Sequence, residues 1–345
     1  MKGPGMPYFA SAPPIAGLSA LVTGGSRGLG LLMARQLLAR GARVTILARD
    51  GQELAEAARS LRRPGGPPVA TAVCDVRDRA AVDGTVEEIA AREGGLDIVI
   101  GNAGVIQVGP AASLGHQAFH DAMASIFDGA LNTSLAVLPH LRRSPAGGRL
   151  ALIGSVGGLL AVPHLLPYSC AKFAVAALAE GLHAEESGYG VSVTAVHPGL
   201  MRTGSHLHAQ FGGDAAREYA WFSALAGTPV LSMNAERAAG RIVSGVQRRR
   251  PRVVLTPAAR LAATAHGLAP VTTTRLSSAL ARVLPRDAVG APGVTEGAAV
   301  ESGGRTAPAP RLRKLLGALN DRAAGRFNQC GRAAPLGPHG RRNDG

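Results

Sequence analysis

The sequence predicts an α/β fold: a doubly wound parallel sheet in a single domain, followed by a C-terminal extension that is helical and partly disordered. Three observations predict it. Between residues 18 and 255, seven short apolar runs alternate with segments of helical periodicity, the order that builds a parallel sheet wrapped by helices. The runs show little polar alternation, as expected of strands covered on both faces. The first run passes through a glycine-rich turn straight into the first helical pattern.

Residues 1–15 form an arm with no apolar stretch long enough for a signal peptide. The expected domain spans 16–256. Its strands are expected at 18–22, 43–47, 69–74, 96–101, 149–154, 191–196 and 252–255. Its helices are expected at 29–39, 52–61, 80–91, 118–141, 168–186 and 235–247. After Leu255 the character changes. Residues 257–285 carry short helical patterns broken by Gly267 and Pro270, and 286–310, rich in Gly, Ala and Pro, read as a flexible linker. Within 311–330, Leu312, Leu315, Leu316, Leu319, Ala323 and Phe327 fall on one face of an amphipathic helix, and 331–345 read as a disordered tail.

Composition excludes several function classes. Hydrophobic residues make up 46% of the 345 and charged residues 17%, enough apolar material for a sizeable core. Only 3% are aromatic, too few for a base-stacking nucleic-acid reader. The cysteines Cys74, Cys170 and Cys330 form neither a disulfide framework nor a metal-ligand pattern, so a reducing, cytoplasmic setting is expected. The net charge of +14 suggests nucleic acid until it is located. Residues 248–345 hold 17 Lys and Arg against 5 Asp and Glu, whereas residues 1–247 hold 20 against 18. The basicity belongs to the tail, and no nucleic-acid partner is expected. For the amphipathic segment, packing on the body is preferred over contact with a membrane surface, because Gly317 and Gly325 weaken an isolated helix.

The first motif is Thr23-Gly24-Gly25-Ser26-Arg27-Gly28-Leu29-Gly30, between the first strand and the first helix. Glycines let the backbone approach a pyrophosphate, and a helix N-terminus offers free N–H groups and a positive dipole. In another context such a turn is merely structural. The second expected strand ends in Ala48-Arg49-Asp50. An acid at its end would bind the adenine ribose, whereas an arginine accepts a 2′-phosphate. Arg49, with Arg27 closing from the turn, therefore points to NADP(H) over NAD(H). Asp50 reads as a helix N-cap. Asp75 and Val76, after the third strand, are expected at the adenine.

The second motif is Tyr168-Ser169-Cys170-Ala171-Lys172. Positions four apart share a helix face, so phenol and ammonium can act on one site. A free tyrosine titrates near ~10 and needs nearby positive charge to work at neutral pH. Ser155, thirteen residues earlier, is placed to hydrogen-bond a carbonyl or hydroxyl. Lysine usage supports the pair: of 37 basic residues only Lys2, Lys172 and Lys314 are lysine. A compact ammonium is retained inside a body that otherwise uses arginine.

Together with Asn102-Ala103-Gly104 and Pro198-Gly199-x-x-x-Thr203, these motifs occur in the order that resembles the short-chain dehydrogenase/reductase family, over about residues 16 to 256. The resemblance implies a Rossmann-type fold and hydride transfer involving a nicotinamide. It implies Tyr168 as general acid/base and Ser155 as substrate polariser. Lys172 would lower the Tyr168 pKa and hold the nicotinamide ribose. Asn102-Ala103-Gly104 would support the sheet beside the cofactor, and Thr203 would hold the carboxamide. Dimers and tetramers are common in the family, so a homo-oligomer is compatible with it. One departure stands out. The family's helix before Ser155 carries Asn-x-x-Gly; here Gly129 and Pro139 keep the spacing, but Ile126 occupies the Asn position. That Asn helps hold a water linking the lysine to solvent, so the proton relay is in question.

The remaining candidates are weaker. His164 is either a pocket or a surface residue, and His197 is positioned to approach the nicotinamide. His206 and His208 lack accompanying ligands, so no metal is expected. Residues 204–229, with Phe211, Tyr219, Trp221 and Phe222, read equally as a lid over a hydrophobic substrate or as core. The expected function is an NADP(H)-preferring oxidoreductase that interconverts a secondary alcohol and a carbonyl. The rival is a cofactor-binding regulatory protein of the same fold with impaired turnover.

Overall fold

The structure, a computed structural model, describes residues 13–62, 66, 68–228, 232–285, 293–303, 323 and 326–329. Seven strands form the central sheet: β1 (Ser19–Thr23), β2 (Arg43–Ala48), β3 (Ala70–Val73), β4 (Ile98–Gly101), β5 (Arg149–Ile153), β6 (Ser192–His197) and β7 (Arg252–Val254). All pair in parallel, in the order β3-β2-β1-β4-β5-β6-β7. The chain builds outward from β1 to β3, then returns to the other side of β1. That reversal opens a crevice between the carboxyl ends of β1 and β4, where open sheets of this kind bind ligands.

Alternate residues of each strand enter opposite core layers, as the two-residue strand period requires. Ala20, Val22, Ile98, Ile100, Ala151 and Ile153 pack on one side with α1 (Gly28–Ala39) and α8 (Ala235–Gln247). Leu21, Val99, Leu150 and Leu152 face the other side, against α3 (Arg79–Glu93), α5 (Gly129–Arg142) and α6 (Leu166–Glu186). This is why the strands read as unbroken apolar runs. Local chemistry sets several helix starts. Asp50 accepts from the Gln52 and Glu53 N–H groups to cap α2 (Gly51–Leu61), Asp78 caps α3, and Asn234 caps α8.

Two expectations are corrected and one open alternative is decided. The helix expected over 118–141 is broken. It comprises α4 (Ala111–Ala122), a π-helical turn at Met123–Asp128, and α5. Residues 293–303, assigned to a flexible linker, are built into the body. Val294–Glu296 pairs antiparallel with Gln210–Gly212, which pairs in parallel with Gln107–Val108, and a short helix, Gly297–Gly303, follows. The β-branched Val294 and Thr295 satisfy an otherwise open edge, and that pairing outweighs the glycine-rich composition. The aromatic segment at 204–229 is mainly core. Phe211 and Phe222 are buried with Val108 and Leu165 around α7 (Ala215–Gly227).

The expected helix at 311–330 and tail at 331–345 lie outside the described residues, except Ala323 and 326–329. Ala323 and Phe327 are buried in the core layer that contains α1. Beyond β7, α9 (Pro257–Leu268) and α10 (Pro270–Ala281) form a helical hairpin. Among the described residues, no helix is long and apolar enough to cross a membrane.

Candidate active site

The glycine turn sits at the crevice. Its chain passes from β1 into α1 with Arg27 at the N-cap in extended conformation and no side chain capping the helix. The first-turn N–H groups therefore carry no side-chain cap, and those beyond Gly28 can serve an anion. Gly28 has φ 54, which a side chain resists. A Cβ at Gly30 would overlap the Gly24 carbonyl oxygen. Across the crevice, Thr23 Oγ accepts from the Asn102 and Ala103 N–H groups at 3.0 and 3.3 Å. The Asn102 amide donates back to the Thr23 and Gly24 carbonyls at 3.3 and 3.1 Å. Thr23 and Asn102 thus clamp the ends of β1 and β4, holding the turn open. Ala103 packs beside this clamp, and Gly104 lies against Ile126, with Lys172 Nζ 3.9 Å from where its Cβ would be. This turn, free of a capping side chain and too tight for any Cβ at Gly30, fits a dinucleotide pyrophosphate.

Ser155 follows β5, and Tyr168 and Lys172 lie one turn apart near the start of α6. Tyr168 and Ser155 sit together, the Tyr168 ring and Ser155 Oγ each 3.5 Å from where a Gly157 Cβ would be, and Lys172 Nζ lies 5.6 Å from the Tyr168 ring centre. Lys172 is buried and donates to the Ile153 carbonyl at 2.6 Å. Burial lowers its pKa to about 8. Burial also raises the Tyr168 phenol, with the Ser155 hydrogen bond opposing it. In this state the phenol therefore stays protonated at neutral pH, whereas the sequence reading expects it to be lowered. The physical reason is that desolvation disfavours the charged forms of both groups.

Ile126 is buried in the π-helical turn, with its side chain against Gly104. The nearby polar candidates are engaged elsewhere: Ser125 donates to the Asp121 carbonyl and Asn132 to the Val76 carbonyl. Ile126 itself offers no polar atom in place of the expected Asn. Val76 is itself buried, and Asp75 binds Arg77 at 2.6 Å. Burial works upward on the Asp75 carboxyl, but the Arg77 hydrogen bonds prevail and hold it below its ordinary value.

On the far side of the crevice, Pro198 accepts from the Val156 N–H at 2.8 Å, fixing the loop after β6 to the residue after Ser155. Gly199 lies against Thr256. Thr203 is buried, with its hydroxyl accepting from the Ser205 N–H. His197 is fully buried beneath Ser155, Nδ1 lying 3.2 Å from the Ser155 carbonyl oxygen. Burial pushes its pKa down to about 4, so it is neutral at working pH and supports the serine loop.

At the end of β2, Arg49 is exposed. Arg27 donates to Glu53 at 2.9 Å and lies 3.1 Å from His208 Nδ1; Ser26 Oγ donates to the same Glu53 at 3.0 Å. Burial pulls the Arg27 guanidinium below its ordinary value, with Glu53 opposing. The C-terminal segment reaches the same place. The Gly28 N–H donates to the Phe327 carbonyl at 2.9 Å, Asn328 donates to the Ser26 carbonyl at 3.0 Å, and His208 Nε2 lies 2.8 Å from the Gln329 carbonyl oxygen. The segment therefore occupies an N–H of the glycine turn and bridges to the loop after Thr203.

Sequence reading missed Glu53, the Phe327–Gln329 contact and Glu218. Glu218 is fully buried, 2.7 Å from His164 Nδ1, and accepts from Trp221 Nε1 at 2.6 Å. His164 takes φ 63, so the loop between Ser155 and Tyr168 is tied to α7 through this carboxylate. An acid directly before Tyr219 in that aromatic segment was the available signal. Among the described residues, no cluster of metal ligands occurs.

The short chain dehydrogenase family model matches residues 19–210. Gluconate 5-dehydrogenase of Gluconobacter oxydans is 34% identical over 190 residues, covering 55% of this chain and 73% of that protein. Fatty acyl-CoA reductase of Acinetobacter baylyi is 29% identical over 259 residues, covering 74% of this chain and 81% of that protein. The crystal structure of a short-chain dehydrogenase from Streptomyces avermitilis superposes with a TM-score of 0.64 at 26% identity, covering 77% of this chain and 98% of the other.

Proposed function

Because the chain belongs to the short-chain dehydrogenase/reductase family and is an NAD(P)-dependent oxidoreductase, we propose that it interconverts a secondary alcohol and a carbonyl on a hydrophobic substrate, with NADP(H) preferred and Tyr168 as general acid/base. The observation that carries this is the convergence of three side chains: Ser155 Oγ and the Tyr168 ring meet beside Gly157, and the Lys172 ammonium lies 5.6 Å from the phenol ring centre. Bound nicotinamide supplies or accepts the hydride. The N-terminus of α1, with Gly24, Ser26, Leu29 and Gly30, would hold the pyrophosphate, and Arg49 the 2′-phosphate. Asp75 and Val76 would line the adenine, and Pro198, Gly199 and Thr203 the nicotinamide side.

For reduction, Ser155 Oγ orients the carbonyl oxygen and Tyr168 donates the proton to it. The raised phenol pKa supports that direction, because the protonated tyrosine is the form that donates. Lys172, charged below about pH 8, stabilises the phenolate left behind. The apolar loop between Ser155 and Tyr168, with half-buried Leu159, Leu160 and Val162, supports a hydrophobic substrate. NADP(H) preference rests on Arg49 and on the absence of an acid at Ala48.

Turnover with NADPH and a panel of aliphatic ketones and keto esters tests the reading. Tyr168→Phe is expected to lower turnover by about 10²–10⁴-fold while NADPH affinity stays nearly unchanged. Normal turnover in that variant would refute the mechanism. Buried Ile126 favours a second reading, a dinucleotide-binding regulatory protein: an apolar side chain holds the position where the relay Asn is expected. Dinucleotide binding without turnover across the panel would select it.

A further inference from the structure

We propose that the α9–α10 hairpin is a docking surface for an anionic lipid bilayer. The two helices are a built unit: His266 Nδ1 lies 2.7 Å from Thr273 Oγ, joining them across the turn. Yet they bury almost nothing of themselves. Ala259 is the one buried residue in α9, and α10 has none.

What they expose is apolar. Leu261 and Leu268 are 73% and 83% exposed, and Leu276, Leu280 and Val283 are 64%, 57% and 77% exposed. Leu261, Ala265 and Leu268 follow the i, i+4, i+7 spacing of one helix face, and so do Leu276, Leu280 and Val283. Each stripe has a basic margin. Arg260 precedes Leu261, Arg275 precedes Leu276, and Arg282 precedes Val283. An arginine beside an apolar stripe can keep its guanidinium at headgroup level while its stem lies along the acyl boundary.

Charge selects the occupant. Residues 257–285 contain Arg260, Arg275 and Arg282 and no Asp or Glu. A second copy of the hairpin would bring arginine against arginine. The chain's own remaining segment is equally unsuited, since residues 304–345 hold nine basic residues against two acidic ones. An anionic surface complements the margins, and the acyl region receives the stripes. Leu268, the most exposed large apolar side chain among the described residues, sits at the end of α9, at the turn between the helices. The base of the hairpin is fixed at the catalytic end of the sheet, where Thr256 and Ala259 pack on Gly199. On the proposed reading of a hydrophobic substrate, docking would place the site beside the phase that dissolves it. Docking itself does not depend on that reading.

The test is co-sedimentation of the full-length protein, without substrate or cofactor, with phosphatidylcholine vesicles containing or lacking phosphatidylglycerol, at low and high salt. Wild type is expected to bind the anionic vesicles at least about tenfold more strongly at low salt, with the difference shrinking at high salt. The full-length triple variant Leu268→Glu, Leu276→Glu, Leu280→Glu changes only exposed positions; it is expected to lose at least about tenfold of that binding and keep the wild-type circular dichroism. The full-length variant Arg311→Glu, Arg313→Glu, Lys314→Glu is expected to keep pelleting. Wild type remaining in the supernatant overturns the proposal, and so does undiminished pelleting of the leucine variant. Loss of pelleting in the tail variant alone also overturns it, by moving the contact to the tail. Self-association in sedimentation velocity that the leucine variant abolishes, without vesicle binding, would identify a second copy as the occupant instead. Vesicle binding is read independently of turnover, so failure of the proposed chemistry leaves this result interpretable.

Discussion

Phe327→Ala in the full-length chain is expected to tighten NADPH binding. Phe327 is 3% exposed and packs in the layer containing α1, while its carbonyl takes the Gly28 N–H at 2.9 Å. One N–H cannot also serve a pyrophosphate oxygen at full strength, so on the proposed reading segment and dinucleotide compete. The apparent Kd is then the intrinsic value divided by the fraction of molecules with the segment released. Removing a buried phenylalanine side chain costs about 3–5 kcal/mol in a rigid core. A short tethered segment that rehydrates on release forfeits nearer the ~1.5–3 kcal/mol of side-chain burial alone. At 1.4 kcal/mol per tenfold, the expected gain is about tenfold to a hundredfold, capped when the segment is fully released. Cofactor fluorescence titration measures it. Arg326→Ala is the control. Its pair with Glu236 is 3.3 Å long and exposed, worth about 0–1 kcal/mol before screening, so its effect should be small. Unchanged or weakened NADPH affinity in folded Phe327→Ala would refute the reasoning and make the segment a wall of the site instead.

Lys172→Met is expected to abolish turnover yet stabilise the fold at pH 7 by on the order of 1–3 kcal/mol, measured by urea unfolding. The folded pKa of about 8 lies below the ordinary 10.5, so the wild type bears its full penalty below about 8; the gain should vanish as pH rises to 10.5, and a gain constant with pH would contradict it. Gly30→Ala forces a Cβ onto the Gly24 carbonyl and should cost roughly 3 kcal/mol together with loss of dinucleotide binding; an unchanged Tm would show slack in the turn. Glu53→Gln removes the carboxylate that engages Arg27 and Ser26, so NADPH should bind several-fold tighter, on the order of 1 kcal/mol, while NADH is unaffected; equal shifts for both would exclude Arg27 from 2′-phosphate recognition.

The sheet was legible because its strands are covered on both faces, so each reads as a contiguous apolar run without needing its partners to be known. The glycine turn was legible for a similar reason: its geometry forbids side chains at Gly28 and Gly30 whatever surrounds it. Tyr168 and Lys172 share a helix, and four-residue spacing alone puts them on one face. The break in the helix expected at 118–141 was not legible, since a π-helical turn changes hydrogen-bond register without changing apolar content.

What the sequence determined by itself was whatever depends on neighbours along the chain: strand positions and most helix positions, the cap at Asp50, the tight turn, and the side chains that follow the strands. Only tertiary structure decided which of those side chains are already engaged. Arg27 meets Glu53 and His208 from 26 and 181 residues away, and the Asn328 amide reaches Ser26 across 302. Residues 293–303 became part of a sheet because an edge lay beside them. Burial set the Tyr168, Lys172 and His197 pKa values because desolvation is imposed by the groups packed around them. These contacts have no sequence period, because a hydrogen bond between distant segments needs only the two groups and the fold that brings them together.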